Sequence, residues 1–311
     1  MDLSPLILLP RVRPGHRRKV PDHTGPIVRG TLGCALMGSL DRHVPALTAV
    51  RRLLAEHGLP GDRLEAWKDG SNLLVRPVPA PVILRVATFT GRVRRDPIPY
   101  LEREVALVTW LHQRGAPVMA PADVMPAGPF LVDGWGIAAW RFTDHEPGVV
   151  PGPEATLAAL GELRGVLRDY PGALPAYGPA AADLDLAFGF AMEAGILDAV
   201  VVEALRERRD TLLERLRALD PALEPQHGDA FPRNTVVDRA GRVTWIDLED
   251  ACRASPAWDL AVLARNTGDP AVWAAAVAAV GQEAVETASA LRAIQADVWT
   301  ALHEARVARG W

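Results

Sequence analysis

One stretch limits what this chain can be more than any other: QHGDAFPRNTVVDRAGRVTWIDLED, Gln226 to Asp250. It lies in a half of the chain whose other segments are patterned for helices. Thr235-Val236-Val237 and Val243-Thr244-Trp245-Ile246 are short β-prone runs, joined by Asp238-Arg239-Ala240-Gly241-Arg242. That is a hairpin with a glycine-containing turn. Asn234 enters the first strand and Asp247 leaves the second, and a hairpin brings its ends together. The two side chains are therefore expected as neighbours, with Asp229 on the loop just before them. Two oxygen ligands side by side, one anionic, suit Mg²⁺ when phosphates and water complete the octahedron. A nearby second carboxylate can orient a hydroxyl and accept its proton.

The rest of the chain divides around this stretch, and 311 residues can bury the cores of two lobes. Val44 to His57 carries Leu47, Val50, Leu53 and Leu54 at helical spacing and stops at Gly58. Leu73–Val78 and Val82–Ala87 are short, Gly/Pro-bounded and rich in Val, Ile and Leu, which predicts a hairpin. Pro99 to Arg114 reads as a helix stopped at Gly115, and Gly136 to Phe142 as a buried strand. Beyond Thr143 the pattern is helical over 153–169, 181–194, 197–219, 256–265, 271–280 and 283–308. The hairpin between Asn234 and Asp247 is the only strand signal in that half. The expected division is an N-terminal extension over 1–45, a β-rich N-lobe over 46–142 and a helical C-lobe over 143–311.

Composition narrows the class. The chain is 49% hydrophobic and 23% charged, with a net charge of −4. That is a globular balance, with no general case for nucleic acid or an anionic membrane as partner. Cys34 and Cys252 are the two cysteines, which argues against a disulfide framework and suits a reducing, cytoplasmic setting. The longest Ala/Val run, Ala271 to Val280, is too short to span a bilayer. Residues 1–36 are basic, rich in Pro and Gly and without period, and the apolar run Leu3–Leu9 precedes the charge, the reverse of a signal peptide. They read as a disordered extension, or as sequence upstream of a start at Met37. The eight histidines show no pair at metal-ligand spacing, and no Walker or Gly-x-Ser-x-Gly motif occurs.

Asp229-x-x-x-x-Asn234, followed by Asp247 after the next hairpin, resembles a kinase catalytic loop. His227-Gly228-Asp229 in place of His-Arg-Asp resembles the aminoglycoside phosphotransferase and choline kinase-like family. The likeness runs from His227 to Ala261, including Ser255-Pro256-Ala257-Trp258 before Asp259-Leu260-Ala261. It implies an α+β, protein kinase-like bilobal fold. It also implies Asp229 as base, Asn234 and Asp247 as Mg²⁺ ligands, ATP or GTP as phosphoryl donor, and a small-molecule hydroxyl acceptor. His227 would shape the loop and Asp259 would tie it to the following helix. Asp250 would be a structural or substrate-side acid. A nucleotide-binding module of the same fold without turnover is the alternative, suggested by Phe231-Pro232-Arg233, where relatives often have His-Pro-Gly.

The resemblance makes demands on the N-lobe. Arg85, the one cation in its strand, would face the phosphates where kinases at large have lysine; its fork suits phosphate oxygens. Glu104 shares a helix face with Leu101, Leu107, Val108 and Leu111, and a buried acid needs a partner, so Arg85 and Glu104 are expected to pair. Ser71 and Asn72, in Lys68-Asp69-Gly70-Ser71-Asn72, would cap phosphates, and Trp140 to Phe142 would present backbone to a purine. Asp183, Asp185 and Glu193 either form an acidic wall for a cationic acceptor or lie on a solvated helix face.

Overall fold

The computed structural model describes residues 41–145 and 148–311. The extension expected over 1–45 lies outside the described residues up to residue 40. Asp41–His43 form a 3-10 turn, and α1 (Val44–Glu56) follows at once. Those last residues are tied into the fold, because Arg42 and His43 both pair with Asp69.

The spacing that predicts α1 also states what it covers. Ala46, Ala49, Val50, Leu53 and Leu54 are buried along one stripe. They pack on a five-stranded antiparallel sheet of β1 (Leu64–Asp69), β2 (Leu73–Pro77), β3 (Val82–Val86), β4 (Phe130–Val132) and β5 (Trp135–Arg141), in the order β1-β2-β3-β5-β4. Neither β1 nor β4 is among the strands expected from the sequence, although β4, Phe-Leu-Val before Asp133-Gly134, carries a hairpin signal. β1 reads Leu-Glu-Ala-Trp-Lys-Asp and its pairing with β2 shifts register between Ala66 and Lys68, which breaks the alternation a sequence pattern relies on.

On β3 the period of two separates the faces. Val82, Leu84 and Val86 point to the core under α1, and Ile83 and Arg85 point to the opposite face, where Ile83 meets the second core. Between β3 and β4 the chain forms α2 (Phe89–Arg94) and α3 (Ile98–Gln113). α3 buries Leu101, Glu104, Leu107, Val108 and Leu111, the stripe its sequence spacing predicts.

The second half contains α4 (Pro153–Leu167), α5 (Ala182–Glu193), α6 (Ala199–Leu219), α7 (Ala257–Thr267), α8 (Pro270–Val280) and α9 (Gln282–Arg309). Its core also takes in the apolar stripe of α3, so the two lobes share buried surface. Between α6 and α7 lie β6 (Glu224–Gln226), β7 (Thr235–Val237), β8 (Val243–Trp245) and β9 (Cys252–Ala254). The hairpin β7–β8 is in the predicted place, with Thr235 opposite Trp245. The expectation that it is the only β structure here is corrected: β6 pairs antiparallel with β9 and closes the neck of the whole segment. Glu-Pro-Gln and Cys-Arg-Ala have no strand propensity of their own; tertiary pairing makes them strands.

Candidate active site

The loop from His227 to Asn234 is held from behind. Asp259, in the first turn of α7, accepts the His227 and Gly228 backbone N–H groups at 2.7 and 3.0 Å. The Trp258 indole donates to the Gly228 carbonyl at 2.8 Å. The His227 ring packs edge-on against Trp245, and its Nε2 lies 3.2 Å from the Ile246 carbonyl. Gly228 has φ of +88°, and a Cβ there would lie 1.8 Å from the Asp250 carbonyl oxygen, so only glycine fits. His227 and Asp259 thus shape the loop and present Asp229 forward.

Asn234 Nδ2 donates to the Asp229 carboxylate at 2.8 Å and to its carbonyl at 3.0 Å. The Ile246 N–H donates to the Asn234 carbonyl at 2.9 Å, which sets Asn234 beside the exit of β8. The next residue, Asp247, adopts a left-handed φ of 65°, a conformation Asp tolerates better than most. Its carboxylate lies 3.1 Å from Arg85.

Arg85 is the centre of the buried charge. One end of its guanidinium is 2.8 Å from Glu104 and also meets Asp247; the other bonds Glu249. Arg94 of α2 sits alongside, 2.8 Å from Glu249, 2.5 Å from Asp250 and 3.4 Å from Asp183. Burial disfavours both guanidinium charges, but the surrounding carboxylates outweigh it and hold both arginines charged. The acids divide. Burial raises Glu249, yet Arg85 and Arg94 pull it below its ordinary value. Burial pushes Glu104 up to about 8 against the pull of Arg85. Burial likewise pushes Asp250 up to about 7, and raises Asp247. In these pairs the guanidinium forks of Arg85, Arg94 and Arg292 face six carboxylates, Glu104, Asp183, Asp229, Asp247, Glu249 and Asp250, so negative charge is in excess.

That excess is what a divalent cation relieves. Asn234 uses its amide N–H on Asp229 and leaves Oδ1 without a hydrogen bond among the described residues, and its backbone is bonded to Ile246, the residue before Asp247. Among the described residues no group of three or more His, Cys, Asp and Glu could hold a metal. The donor set instead fits a hard cation that takes one or two protein oxygens and completes its shell with phosphate and water.

The other expected residues are placed as follows. In the segment Lys68–Asn72, Lys68 and Asp69 end β1 and residues 70–72 turn into β2, one strand before that of Arg85. Asn72 is turned inward, donating to Glu249 at 3.1 Å and accepting from Thr90, so its side chain braces the acid cluster. Ser71 Oγ lies 3.0 Å from His303 Nε2 on α9. The Trp140 side chain is buried in the shared core. The Phe142 ring lies between Trp67 and the Arg76 guanidinium, 3.8 Å above it, and its N–H donates to the Pro81 carbonyl. Asp183, Asp185 and Glu193 do not form a common acidic wall. Asp183 accepts from the Tyr100 hydroxyl at 2.7 Å and pairs with Arg94; Asp185 pairs with Arg209 and Arg206; Glu193 pairs with Arg95. Arg233 is exposed and lines a separate cavity of about 380 Å³ with Val150, Pro151 and Phe231.

Sequence reasoning missed two residues. Arg94 is one of three arginines in Arg92-Val93-Arg94-Arg95 and nothing local singles it out. Arg292 of α9 holds the other Asp229 oxygen at 2.5 Å. It lies four residues from Ala288 and three from Gln295 on the buried stripe of its helix. Its neighbours at that spacing are Ala288, Ser289, Gln295 and Ala296, so it lacks the Leu and Val company that singles out Glu104. With Asp229, Asp247, Asp250 and Thr90, residues Arg292, Trp299 and His303 line a cavity of about 200 Å³.

The sequence matches the phosphotransferase enzyme family, APH, over residues 44–294, and the chain belongs to that family. Comparison with curated proteins gives no match. Among solved structures, the choline kinase LicA from Streptococcus pneumoniae superimposes with a TM-score of 0.57 at 15% identity, over 84% of this chain and 92% of that one. Aminoglycoside phosphotransferase APH(3'')-Id from Streptomyces rimosus, in complex with ADP and streptomycin, gives 0.55 at 18% identity, over 80% and 98%. A microcompartment-associated aminopropanol kinase gives 0.59 at 14% identity, over 83% and 90%. The fold is therefore the bilobal kinase-like one, a small antiparallel sheet lobe beside a mainly helical lobe. No helix among the described residues is long and apolar enough to cross a membrane.

Proposed function

We propose that this enzyme transfers the γ-phosphoryl group of ATP or GTP to a hydroxyl of a small molecule. The observation that carries the reading is the Asp229–Asn234–Asp247 arrangement: an acid and an amide bonded at 2.8 Å, beside a second acid at the end of the same hairpin. Asp229 orients the acceptor hydroxyl and takes its proton. Asn234 and Asp247 would hold Mg²⁺, which when bound neutralises and aligns the phosphates. Arg85, fixed by Glu104, faces the phosphates from β3. Ser71, in the β1–β2 turn, lies over the same cavity. The Arg141 and Phe142 N–H groups are already bonded to Ala120 and Pro81, so they are not free to donate to a purine. Positioning and charge neutralisation supply most of the rate.

The test is thermal unfolding with ATP or GTP, each with and without Mg²⁺. A nucleotide at a hundred times its Kd adds about 2.7 kcal/mol. A Mg²⁺-dependent rise in melting temperature that shrinks in Asp247→Ala is expected, and names the donor. Asp229→Asn should keep that rise while losing turnover. No rise with either nucleotide removes the kinase reading. A rise without turnover in the wild-type chain favours a binding module.

A further inference from the structure

α9 forms one wall of the cavity, and its chemistry differs from that of the wall of carboxylates. The carboxylates are committed: Asp229 to Asn234 and Arg292, Glu249 to Arg85, Arg94 and Asn72, Asp250 and Asp183 to Arg94. What α9 presents is rich in donors. Arg292 uses one Nη on Asp229 and the other, at 2.6 Å, on the Gln295 carbonyl oxygen, which leaves further N–H groups on its fork. The Gln295 amide N–H₂ and the Trp299 indole N–H make no hydrogen bond among the described residues, and both side chains line the cavity. Burial, with the adjacent Arg306 and Lys68, lowers the His303 pKa and favours its uncharged ring. A cationic acceptor approaching Asp229 would meet a guanidinium already bonded to that carboxylate.

Resting on the phosphotransferase reading above, we infer that Arg292 recognises the acceptor, and that the acceptor is a hydroxyl compound bearing an anionic group, a carboxylate or a phosphate. The anionic group takes the guanidinium fork and draws it from Asp229, which frees the base only when an acceptor is present. The acceptor hydroxyl oxygen then bonds to the γ-phosphorus and its proton passes to Asp229. The bond from the γ-phosphorus to the β–γ bridging oxygen breaks, and that oxygen leaves with the electron pair on the nucleoside diphosphate. Without an acceptor, Arg292 occupies the base and water is a poor substitute.

The test uses the full chain with Mg²⁺ and the better nucleotide. Glycerate and glycerol 3-phosphate are the carboxylate and phosphate probes, glycerol the neutral control and ethanolamine the cationic one. Nucleoside diphosphate release is followed with each, and melting temperature with each probe beside a non-hydrolysable nucleotide. One anionic probe, and not glycerol or ethanolamine, should raise the melting temperature; which of the two does so separates the sources. R292Q should abolish that rise, and lower kcat/KM for any anionic probe turned over by about ten- to hundredfold, the loss of a charged hydrogen bond or two. R292K, which keeps the charge without the fork, should fall between. R292Q should also raise nucleotide hydrolysis in the absence of acceptor severalfold, because Asp229 is unmasked. Preference for ethanolamine, equal response to all four probes, or R292Q hydrolysis at or below wild type overturns the inference. If nucleotide and Mg²⁺ themselves fail to bind, the phosphotransferase reading has failed, and the inference falls with it.

Discussion

Asp259→Ala tests how the candidate catalytic loop is held. Asp259 is fully buried, and its two oxygens receive the His227 and Gly228 N–H groups at 2.7 and 3.0 Å. Hydrogen bonds to a charged group contribute about 1.5–3 kcal/mol each, and each donor left buried without a partner keeps its desolvation cost. Gross loss is therefore about 3–6 kcal/mol. Part is recovered, because burial already holds the Asp259 carboxylate against its preference and raises its pKa. The net expectation is a loss of about 2–4 kcal/mol, large against the 5–15 kcal/mol of a typical domain but leaving a folded protein. Asp259→Asn keeps one acceptor and turns an amide N–H toward the other donor, so it restores at most half. Urea unfolding with an unchanged m-value reads the stability. Turnover reads the loop: a shift of Asp229 by about 1 Å costs about 10²-fold in kcat. A variant within about 0.5 kcal/mol of wild type and with full turnover would show that Trp258 and the β6–β9 neck hold the loop without Asp259.

Two more outcomes follow from the buried charge. Arg85→Ala removes the buried partner shared by Glu104, Asp247 and Glu249 and should cost about 3–5 kcal/mol; adding Glu104→Gln should return part of it, and a strictly additive double mutant in chemical unfolding would refute the coupling. The acids also set a pH dependence. Glu104 and Asp250 stand at about 8 and about 7, above their ordinary values, so the folded state keeps protons that the unfolded chain releases. Their contribution is complete below the unfolded values and is lost as pH rises through 7 to 8. Glu249, held low by Arg85 and Arg94, runs the other way and matters only toward acid pH. The metal-free protein should melt lower at pH 8.5 than at pH 6, and Mg²⁺ should restore more at pH 8.5; a melting temperature that climbs across this range would contradict the assignment.

The candidate catalytic segment is readable in the sequence because its geometry is local. Thirteen positions separate Asn234 from Asp247, and a β-prone hairpin alone brings them together. Glu104 is readable for a similar reason: a charge on an apolar helical stripe needs a partner, and Arg85 was the one cation in its strand. What stays hidden depends on long-range placement. Arg94 could not be told from Arg92 or Arg95, since only the docking of α2 decides which side chain turns inward. Asp183, Asp185 and Glu193 look like an acidic face until the fold supplies an arginine to each. Asn72 has a turn-like context, yet its amide faces the acid cluster because Glu249 lies 177 positions away in sequence and next to it in space. β6 and β9 exist only as each other's partner.

The final helix has a consequence for the sequence of events in a catalytic cycle. At 28 residues α9 is about 42 Å long. It reaches the β1–β2 turn through Arg306 on Asp69 and His303 on Ser71, and three turns earlier it reaches Asp229 through Arg292. In the proposed reading it is a strut between the nucleotide side and the acceptor side of the cleft. Opening the cleft for nucleotide exchange must either break the contacts at Asp69 and Ser71 or carry the strut along and draw Arg292 from the base. Entry and departure of the two substrates are thereby mechanically tied, and ligands should come and go in a fixed order instead of at random.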